Sequence, residues 1–182
     1  NLKGSLQMAL KDPAANETFA RLAAEYPETD EGKNAQYARI NGALELKQFD
    51  QAREALGSMM ADPGHYSVDE FARVGQAMLT NSLWKEAADA FGQVVGKTED
   101  RGLLERALYG LGASKFELGD SAGAVAALND LMVKWPNSAL FYKAKFILVR
   151  ANLKLNNLAA AKTALNDIFK SAREPELVND AS

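Results

Sequence analysis

Leu118-Gly119-Asp120-Ser121-Ala122-Gly123-Ala124 is the stretch that decides the fold this sequence predicts. It has the composition of a helix end, a tight turn and the start of a second helix, with a small residue at its last position. Equivalent segments occur at 46–52 (LKQFDQA), 80–87 (TNSLWKEA) and 155–161 (LNNLAAA), and a shortened version occurs at 11–15. This recurrence indicates an internal repeat.

The alanine that ends each segment sets the length of the repeat. Successive alanines are 37, 35, 37 and 37 residues apart, at Ala15, Ala52, Ala87, Ala124 and Ala161. Large apolar residues follow four residues later, at Phe19, Leu56, Phe91, Leu128 and Leu165, and seven residues later, at Leu22, Met59, Val94, Leu131 and Ile168. Offsets of four and seven share one face of a helix, so the pattern predicts a buried stripe on the second helix of each repeat.

Glycine stands in the first helix of two repeats, twelve residues before the alanine. The residues at this position are Ile40, Gly75, Gly112 and Val149. Glycine inside a helix costs about 1 kcal/mol relative to alanine. Close packing between helices is the simplest reason to keep it there, so we expect tight contacts at Gly75 and Gly112.

Two repeats resemble the tetratricopeptide repeat (TPR) family in the order of their residues. One carries Leu111-Gly112, Phe116, Gly119-Asp120, Ala124, Leu128 and Trp135-Pro136-Asn137-Ser138; the other carries Phe71, Val74-Gly75, Met78, Trp84, Ala87 and Phe91. The resemblance implies an all-α fold, a right-handed superhelical solenoid of antiparallel helix pairs. The repeats with Ile40 and Val149 depart from the small-residue position, which leaves their local packing open.

The repeat positions predict a single solenoid over 1–176 with about four and a half repeats. These are 1–30 (partial), 31–66, 67–101, 102–138 and 139–174, followed by a tail at 175–182. The first repeat lacks most of its opening helix. The chain starts at Asn1 rather than methionine, so we expect a shortened or processed protein, from which a leader, lipid anchor or membrane helix can have been lost.

Two repeat endings, Tyr26-Pro27-Glu28-Thr29 and Trp135-Pro136-Asn137-Ser138, resemble those of bacterial cell-envelope TPR proteins. Examples are the Tol-Pal-associated coordinator and the β-barrel assembly lipoprotein. The resemblance implies an adaptor in the periplasm or cell envelope, with a cytoplasmic location as the alternative. No apolar run approaches the roughly 18 to 20 residues that a membrane span needs.

Stacked repeats of this family present a concave face suited to a peptide or a partner's helix. The family's concave positions fall on Asn34, Tyr37, Asn41, Asp69, Ala72, Gln76, Arg106, Tyr109, Ala113, Phe116, Lys143, Phe146, Arg150 and Leu153. The groove expected to bind the partner comprises Tyr37, Asn41, Gln76, Arg106, Tyr109, Lys143, Phe146 and Arg150. Aromatic residues interleaved with cations suit an acidic or carboxylate-ended peptide. The alternative is that Tyr109 and Phe146 pack between helices.

Charge is distributed unevenly, although the net charge is only -3. Between Lys134 and Arg173 there are eight lysines and arginines against Asp167 alone, whereas 17–31 is mainly acidic. The basic part suits an acidic protein or a membrane surface, or is simply a solvated helix face. The small net charge argues against nucleic acid as the partner.

The sequence carries no pattern for catalysis, a cofactor or a metal, so we predict a non-enzymatic protein. There is no cysteine, and the single histidine, His65, lies in the linker 62–66 and is expected to face solvent. Residues 92–98 have three residues between their glycines where a phosphate loop needs four. Gly110-Leu111-Gly112 is not a dinucleotide fingerprint, and the carboxylate clamp of chaperone-binding TPR proteins is not matched.

A self-associating scaffold is the alternative function. The last helix, expected at 159–172, carries Ile168 and Phe169 with no following repeat to cover them. Leu177 and Val178 of the tail, a second copy of the chain or a downstream segment would each serve as the cover, and a homo-oligomer through this helix is one expectation.

Overall fold

A computed structural model describes residues 14–173 of the chain and places most of them in helices. The described residues form nine α-helices and a short 3-10 helix (Pro63–His65), without a strand. The α-helices are α1 (Ala14–Glu25), α2 (Asp30–Glu45), α3 (Phe49–Ala61), α4 (Val68–Thr80), α5 (Trp84–Gly92), α6 (Arg101–Glu117), α7 (Ser121–Lys134), α8 (Phe141–Lys154) and α9 (Leu158–Arg173). The all-α prediction is confirmed.

The chain divides into two compact units, 1–99 and 100–182. In the N-terminal unit α1 packs on α2, α2 on α3, α4 on α5, and the first helices α2 and α4 on each other. In the C-terminal unit each helix packs on the next, and the first helices α6 and α8 are in contact. The division falls close to the predicted boundary between the repeats 67–101 and 102–138. Residues 1–13 of the predicted partial repeat 1–30, and the predicted tail 175–182, lie outside the described residues.

Helix boundaries follow local sequence signals. The side chains of Thr29, Ser67, Asp100 and Asp120 each accept a hydrogen bond from a backbone N–H in the first turn of the next helix. These bonds satisfy N–H groups that have no partner within the helix. The prolines of the described residues, Pro27, Pro63 and Pro136, all lie outside the α-helices.

The buried stripe of the second helices is confirmed in most repeats. All five anchoring alanines are buried, and so are Phe19, Leu56, Phe91 and Leu128 four residues after them. Leu165 is the exception, with 41% of its surface exposed. The prediction of burial is wrong there because α9 has no further described helix packed beyond it.

Glycine allows close approach of two helices in two repeats. A methyl group built on Gly75 would lie 2.9 Å from the ring of Phe91, and one built on Gly112 would lie 2.5 Å from Cγ of Leu128. Carbon atoms in contact normally stand about 3.5–4.0 Å apart. The tight contacts expected at Gly75 and Gly112 are therefore confirmed, and in both cases the neighbour is the large apolar residue of the following helix.

The turn between the two helices of a repeat has the same backbone geometry four times. A residue with positive φ stands five positions before each alanine: Lys47, Ser82, Gly119 and Asn156. In each turn the following residue donates its N–H to the carbonyl five positions earlier, as Asp120 does to Lys115 at 2.9 Å. This is the Schellman arrangement that ends a helix with one left-handed residue.

The change in stability caused by a substitution at the left-handed position is expected to depend on whether glycine already stands there. Gly119→Ala should destabilise the C-terminal unit by about 1 kcal/mol, because an L side chain is strained at positive φ. Ser82→Gly should raise the stability of the N-terminal unit by up to about 1 kcal/mol for the same reason. Urea denaturation of each variant measures both effects.

Gly57→Ala is the matched control for these substitutions. Gly57 lies inside α3, and apart from its chain neighbours and the backbone of its own helix nothing lies within 4 Å of the added methyl group. Alanine should stabilise the helix there by about 1 kcal/mol. A loss of stability at position 57, or a gain at position 119, would contradict the role given to the left-handed residue.

None of the helices within 14–173 combines the length and apolar character that a transmembrane span requires.

Candidate functional site

The eight residues predicted to line a groove all lie on first helices of repeats. Five of them, Gln76, Arg106, Lys143, Phe146 and Arg150, are exposed, and Tyr37, Asn41 and Tyr109 are half-buried. The alternative that Phe146 packs between helices does not hold, because 59% of its surface is exposed. Tyr109 lies partly in the protein interior, and burial raises the pKa of its phenol.

Two residues assigned to concave positions belong instead to the core. Ala72 is buried on α4, and only 2% of Phe116 is exposed. Phe116 forms an apolar cluster with Ala124 of α7 and Ala151 of α8. Phe116 therefore packs between the two repeats of the C-terminal unit. The expectation that Ala72 and Phe116 line a groove is wrong, because both side chains are buried.

One face of α8 combines exposed apolar side chains with cations. Tyr142, Phe146 and Leu153 are each at least half exposed, and Arg150 and Lys154 are exposed beside them. Offsets of three and four place these residues along one side of the helix. We call these five residues the α8 surface.

The cations of the α8 surface are held over aromatic rings. The guanidinium of Arg150 lies 4.6 Å from the ring centre of Phe116 and 5.8 Å from that of Phe146. Nζ of Lys154 lies 4.4 Å from the ring centre of Phe116. Each such contact contributes about 0.5–1 kcal/mol at an exposed site. The rings therefore fix where the two charges are presented.

Neither cation is neutralised by a carboxylate from the part of the chain that the structure describes. Within residues 14–173, Arg150 and Lys154 form no ion pair, and neither does Lys143 beside them. Lys145, on the same helix, behaves differently: its ammonium lies 2.7 Å from a carboxylate oxygen of Asp167 in α9. The charges of the α8 surface are thus available to a ligand, whereas that of Lys145 joins two helices.

The predicted residues of the N-terminal unit are more engaged with their own neighbours. The guanidinium of Arg73 lies 5.1 Å from the ring centre of Tyr37 and is bound by Asp69 at 2.9 Å. Gln76 is hydrogen-bonded to Thr80 in the same helix. No second exposed cluster of aromatic residues and unpaired cations forms around them within the described part of this unit.

Arg106 lies in α6 apart from the contacts that build the α8 surface. Its Nε donates to the carbonyl of Gly102 at 3.1 Å. Among the described residues, no hydrogen bond or ion pair joins Arg106 or Tyr109 to α8. Of the eight predicted residues, contacts bring together only Phe146 and Arg150 in this unit.

Three residues of these clusters were not predicted: Tyr142, Lys154 and Arg73. Tyr142 stands four residues before Phe146, and Lys154 stands four residues after Arg150. The helical period was therefore a sufficient signal for both. Arg73 stands four residues after Asp69, which is the spacing of an ion pair on one helix.

His65 is not the solvent-facing residue that the sequence predicted. Its side chain is only 14% exposed, with Nδ1 3.5 Å from a carboxylate oxygen of Glu28, and its Nε2 is hydrogen-bonded to the carbonyl of Pro27. The ring also meets Tyr66 edge-on at 5.7 Å. The histidine ties the α1–α2 loop to the 3-10 helix, because the linker folds back on that loop.

A cavity of about 230 Å³ lies beside His65 in the N-terminal unit. Its polar wall is occupied by internal contacts: Gln36 donates to the carbonyl of Ala55, and Arg39 binds Asn16 and Glu54. In the described part of the chain, no three His, Asp or Glu side chains converge as metal ligands.

Comparison with known proteins relates part of the sequence and the whole fold to helical repeats. Residues 106–138 match the family model described as tetratricopeptide repeat. No curated protein is similar to the chain in sequence. Among solved structures, the chain is similar to a protein described as a kinesin light chain of Podosopora anserina with nearly identical TPR-like repeats. The TM-score is 0.62 at 15% identity, over 96% of this chain and 93% of that one. At this identity the likeness concerns the fold alone. The chain thus has the all-helical fold of TPR-like repeats, and its segment 106–138 is similar in sequence to the tetratricopeptide repeat.

Proposed function

We propose that this chain is a non-enzymatic adaptor that binds a segment of another protein on the α8 surface. The observation that carries the proposal is the position of Arg150, held over Phe116 and Phe146 with no ion pair to a carboxylate of residues 14–173. Tryptophan, tyrosine and arginine are enriched among the few residues that carry most of the binding energy of protein interfaces. Repeats of the TPR type serve as scaffolds for such contacts, which supports an interaction module rather than an enzyme.

The chemistry of the surface selects an acidic segment with apolar side chains. A guanidinium stacked on rings keeps its N–H edge free for a carboxylate. Phe146 and Leu153 offer apolar contact area on either side of Arg150. A short peptide or helix that alternates carboxylates with large apolar residues satisfies both.

The assembly that the adaptor serves is proposed to lie in the bacterial cell envelope. The support is the pair of repeat endings at 26–29 and 135–138, which resemble those of periplasmic TPR proteins. The Thr29 hydroxyl donates to the carbonyl of Tyr26 and accepts from the N–H of Gly32. The Ser138 hydroxyl accepts from the N–H of Leu140, so both endings are held by their final hydroxyl residue. Protease accessibility in spheroplasts tests the location: digestion only after the inner membrane is lysed would place the protein in the cytoplasm instead.

Photo-crosslinking identifies the partner and locates its contact in one experiment. We expect a photoreactive phenylalanine at position 146 to give a covalent adduct with a defined protein in cells of the source organism. The same group at Val133, which is 81% exposed on α7, should give no such adduct. Equal crosslinking from both positions would show that the contact is not specific to α8.

Charge reversal then tests the role of Arg150. Arg150→Glu should weaken binding of the crosslinked partner at least about tenfold, because it removes a cation and adds a repelling carboxylate. Lys97→Glu is the matched control, since Lys97 is exposed in the N-terminal unit and its ammonium donates to the side chain of Gln93 in the same unit. Both variants should keep the circular dichroism of the unaltered protein. Unchanged affinity of the Arg150 variant would contradict the proposed function.

A further inference from the structure

The last described helix exposes an apolar stripe that the proposed function does not use. Leu158, Leu165 and Phe169 of α9 are 64%, 41% and 56% exposed. Lys162 is exposed between them, and the spacing of the four residues places them along one side of α9. We call these four residues the α9 stripe. Ile168, which the sequence analysis also expected to be uncovered, is half-buried.

The repeat shows what normally covers this side of a second helix. Thirty-seven residues earlier, the equivalent positions in α7 are Ser121, Val125, Leu128 and Met132, and none of them is exposed. Val125 of α7 packs against the apolar cluster that contains Ala151 of α8, and Ile147 of α8 packs against the same cluster. The first helix of the following repeat therefore covers this side of α7. No described helix does so for α9.

The α9 stripe differs from its counterpart in charge. Lys162 occupies the position of Val125, and Lys170 is exposed close to Phe169. The one carboxylate of α9, Asp167, is bound by Lys145. Neither Lys162 nor Lys170 forms an ion pair among the described residues. A helix that covers the stripe must place a carboxylate where α8 places an apolar side chain against Val125.

We propose that the α9 stripe binds an acidic amphipathic helix of another protein, in the position that α8 takes on α7. Apolar side chains of that helix cover Leu165 and Phe169, and one of its carboxylates pairs with Lys162. A second copy of the chain fits less well, because α9 against α9 brings the lysines of both copies into one interface, and like charges there are costly. This surface is separate from the α8 surface and does not depend on it.

A designed pair of peptides tests the proposal on the full chain. The acidic probe is a fluorescent peptide of sequence 139–156 with glutamate in place of Ile147 and glutamine in place of Lys143, Lys145, Arg150 and Lys154. The basic probe carries the same glutamines and has lysine in place of Ile147. We expect the acidic probe to bind, and Lys162→Glu to weaken its binding about tenfold. The basic probe should bind the Lys162→Glu protein more tightly than the unaltered protein, which is the reverse of the preference expected of the acidic probe. Fluorescence anisotropy at low and high salt measures both.

Two further variants test whether the acidic probe binds through the α9 stripe rather than by general attraction to lysines of the chain. Phe169→Ser should weaken binding of the acidic probe about tenfold, because it removes an exposed apolar side chain that the probe contacts. Lys97→Glu, an exposed charge reversal in the N-terminal unit, should leave its affinity unchanged. Circular dichroism confirms that both variants are folded, as expected for changes at exposed positions.

Three outcomes would overturn the proposal. The first is equal probe affinity for the unaltered, Lys162→Glu and Phe169→Ser proteins, or no binding at all. The second is a concentration-dependent dimer that Phe169→Ser abolishes, which would make the stripe an interface between copies. The third is probe binding that appears only after Leu177→Ser and Val178→Ser, which would assign the stripe to residues 174–182 of the same chain.

Discussion

Phe91→Ala should lower the free energy of unfolding of the N-terminal unit by about 3–5 kcal/mol, as removal of a buried phenylalanine ring does elsewhere. The ring is fully buried, and it packs where Gly75 has no side chain. Glycine in α4 and phenylalanine in α5 together fill the space between the two helices. When the ring is removed, no side chain at position 75 can relax into the cavity, so the cost should lie in the upper part of that range.

The two tryptophans of the chain allow each unit to be followed separately. Trp84 lies in α5 of the N-terminal unit and Trp135 in the C-terminal unit. Repeat proteins often unfold in more than one step, so a signal confined to one unit is needed. We would measure Phe91→Ala by Trp84 fluorescence in denaturant, in a Trp135→Phe background, and Trp135 fluorescence in a Trp84→Phe background should move much less.

Phe146→Ala is the matched control for the loss of a phenylalanine ring. Phe146 is 59% exposed, so its truncation should cost under about 1 kcal/mol. A cost of Phe91→Ala no larger than that of Phe146→Ala would show that the approach of α4 to α5 does not depend on the ring.

Much of the fold could be predicted because the repeat constrains the same positions several times. The anchoring alanine and the apolar residue four positions later identify the buried side of a helix independently of its neighbours. The pairs Gly75–Phe91 and Gly112–Leu128 have the same spacing, which made close packing predictable. The left-handed residue of each turn was not predicted. Glycine is the residue that signals positive φ, and it stands at this position at Gly119 but not at Lys47 or Ser82.

The candidate site was harder to predict, because exposure depends on what the next repeat supplies. Phe116 has the position of a groove residue in its own repeat, yet Ala151 of the following repeat helps to bury it. Leu165 has the position of a buried residue, yet no described helix follows to cover it. Periodicity identifies the side of a helix on which a residue lies, but the covering of that side is a tertiary property.

Gly112→Ala and Leu128→Ala should each destabilise the C-terminal unit, but together by much less than the sum of the two. Leu128→Ala leaves a cavity in a fully packed position and should cost about 2–5 kcal/mol. Gly112→Ala forces a methyl group to 2.5 Å from Cγ of Leu128, and overpacking of this kind costs about 1–3 kcal/mol. The gain of about 1 kcal/mol in helix propensity offsets part of that cost.

The coupling between the two substitutions identifies the contact that holds α6 against α7. In the double variant the methyl group at position 112 enters space that Cγ of Leu128 has left, so we expect a favourable coupling of about 1–3 kcal/mol. Trp135 fluorescence in a Trp84→Phe background measures the four proteins of the cycle. Gly102→Ala, near the start of α6, is the control, and its effect should add to that of Leu128→Ala within about 0.5 kcal/mol. Additivity at position 112 as well would mean that the helices approach for some reason other than the missing side chain, and the role of glycine in this repeat would have to be abandoned.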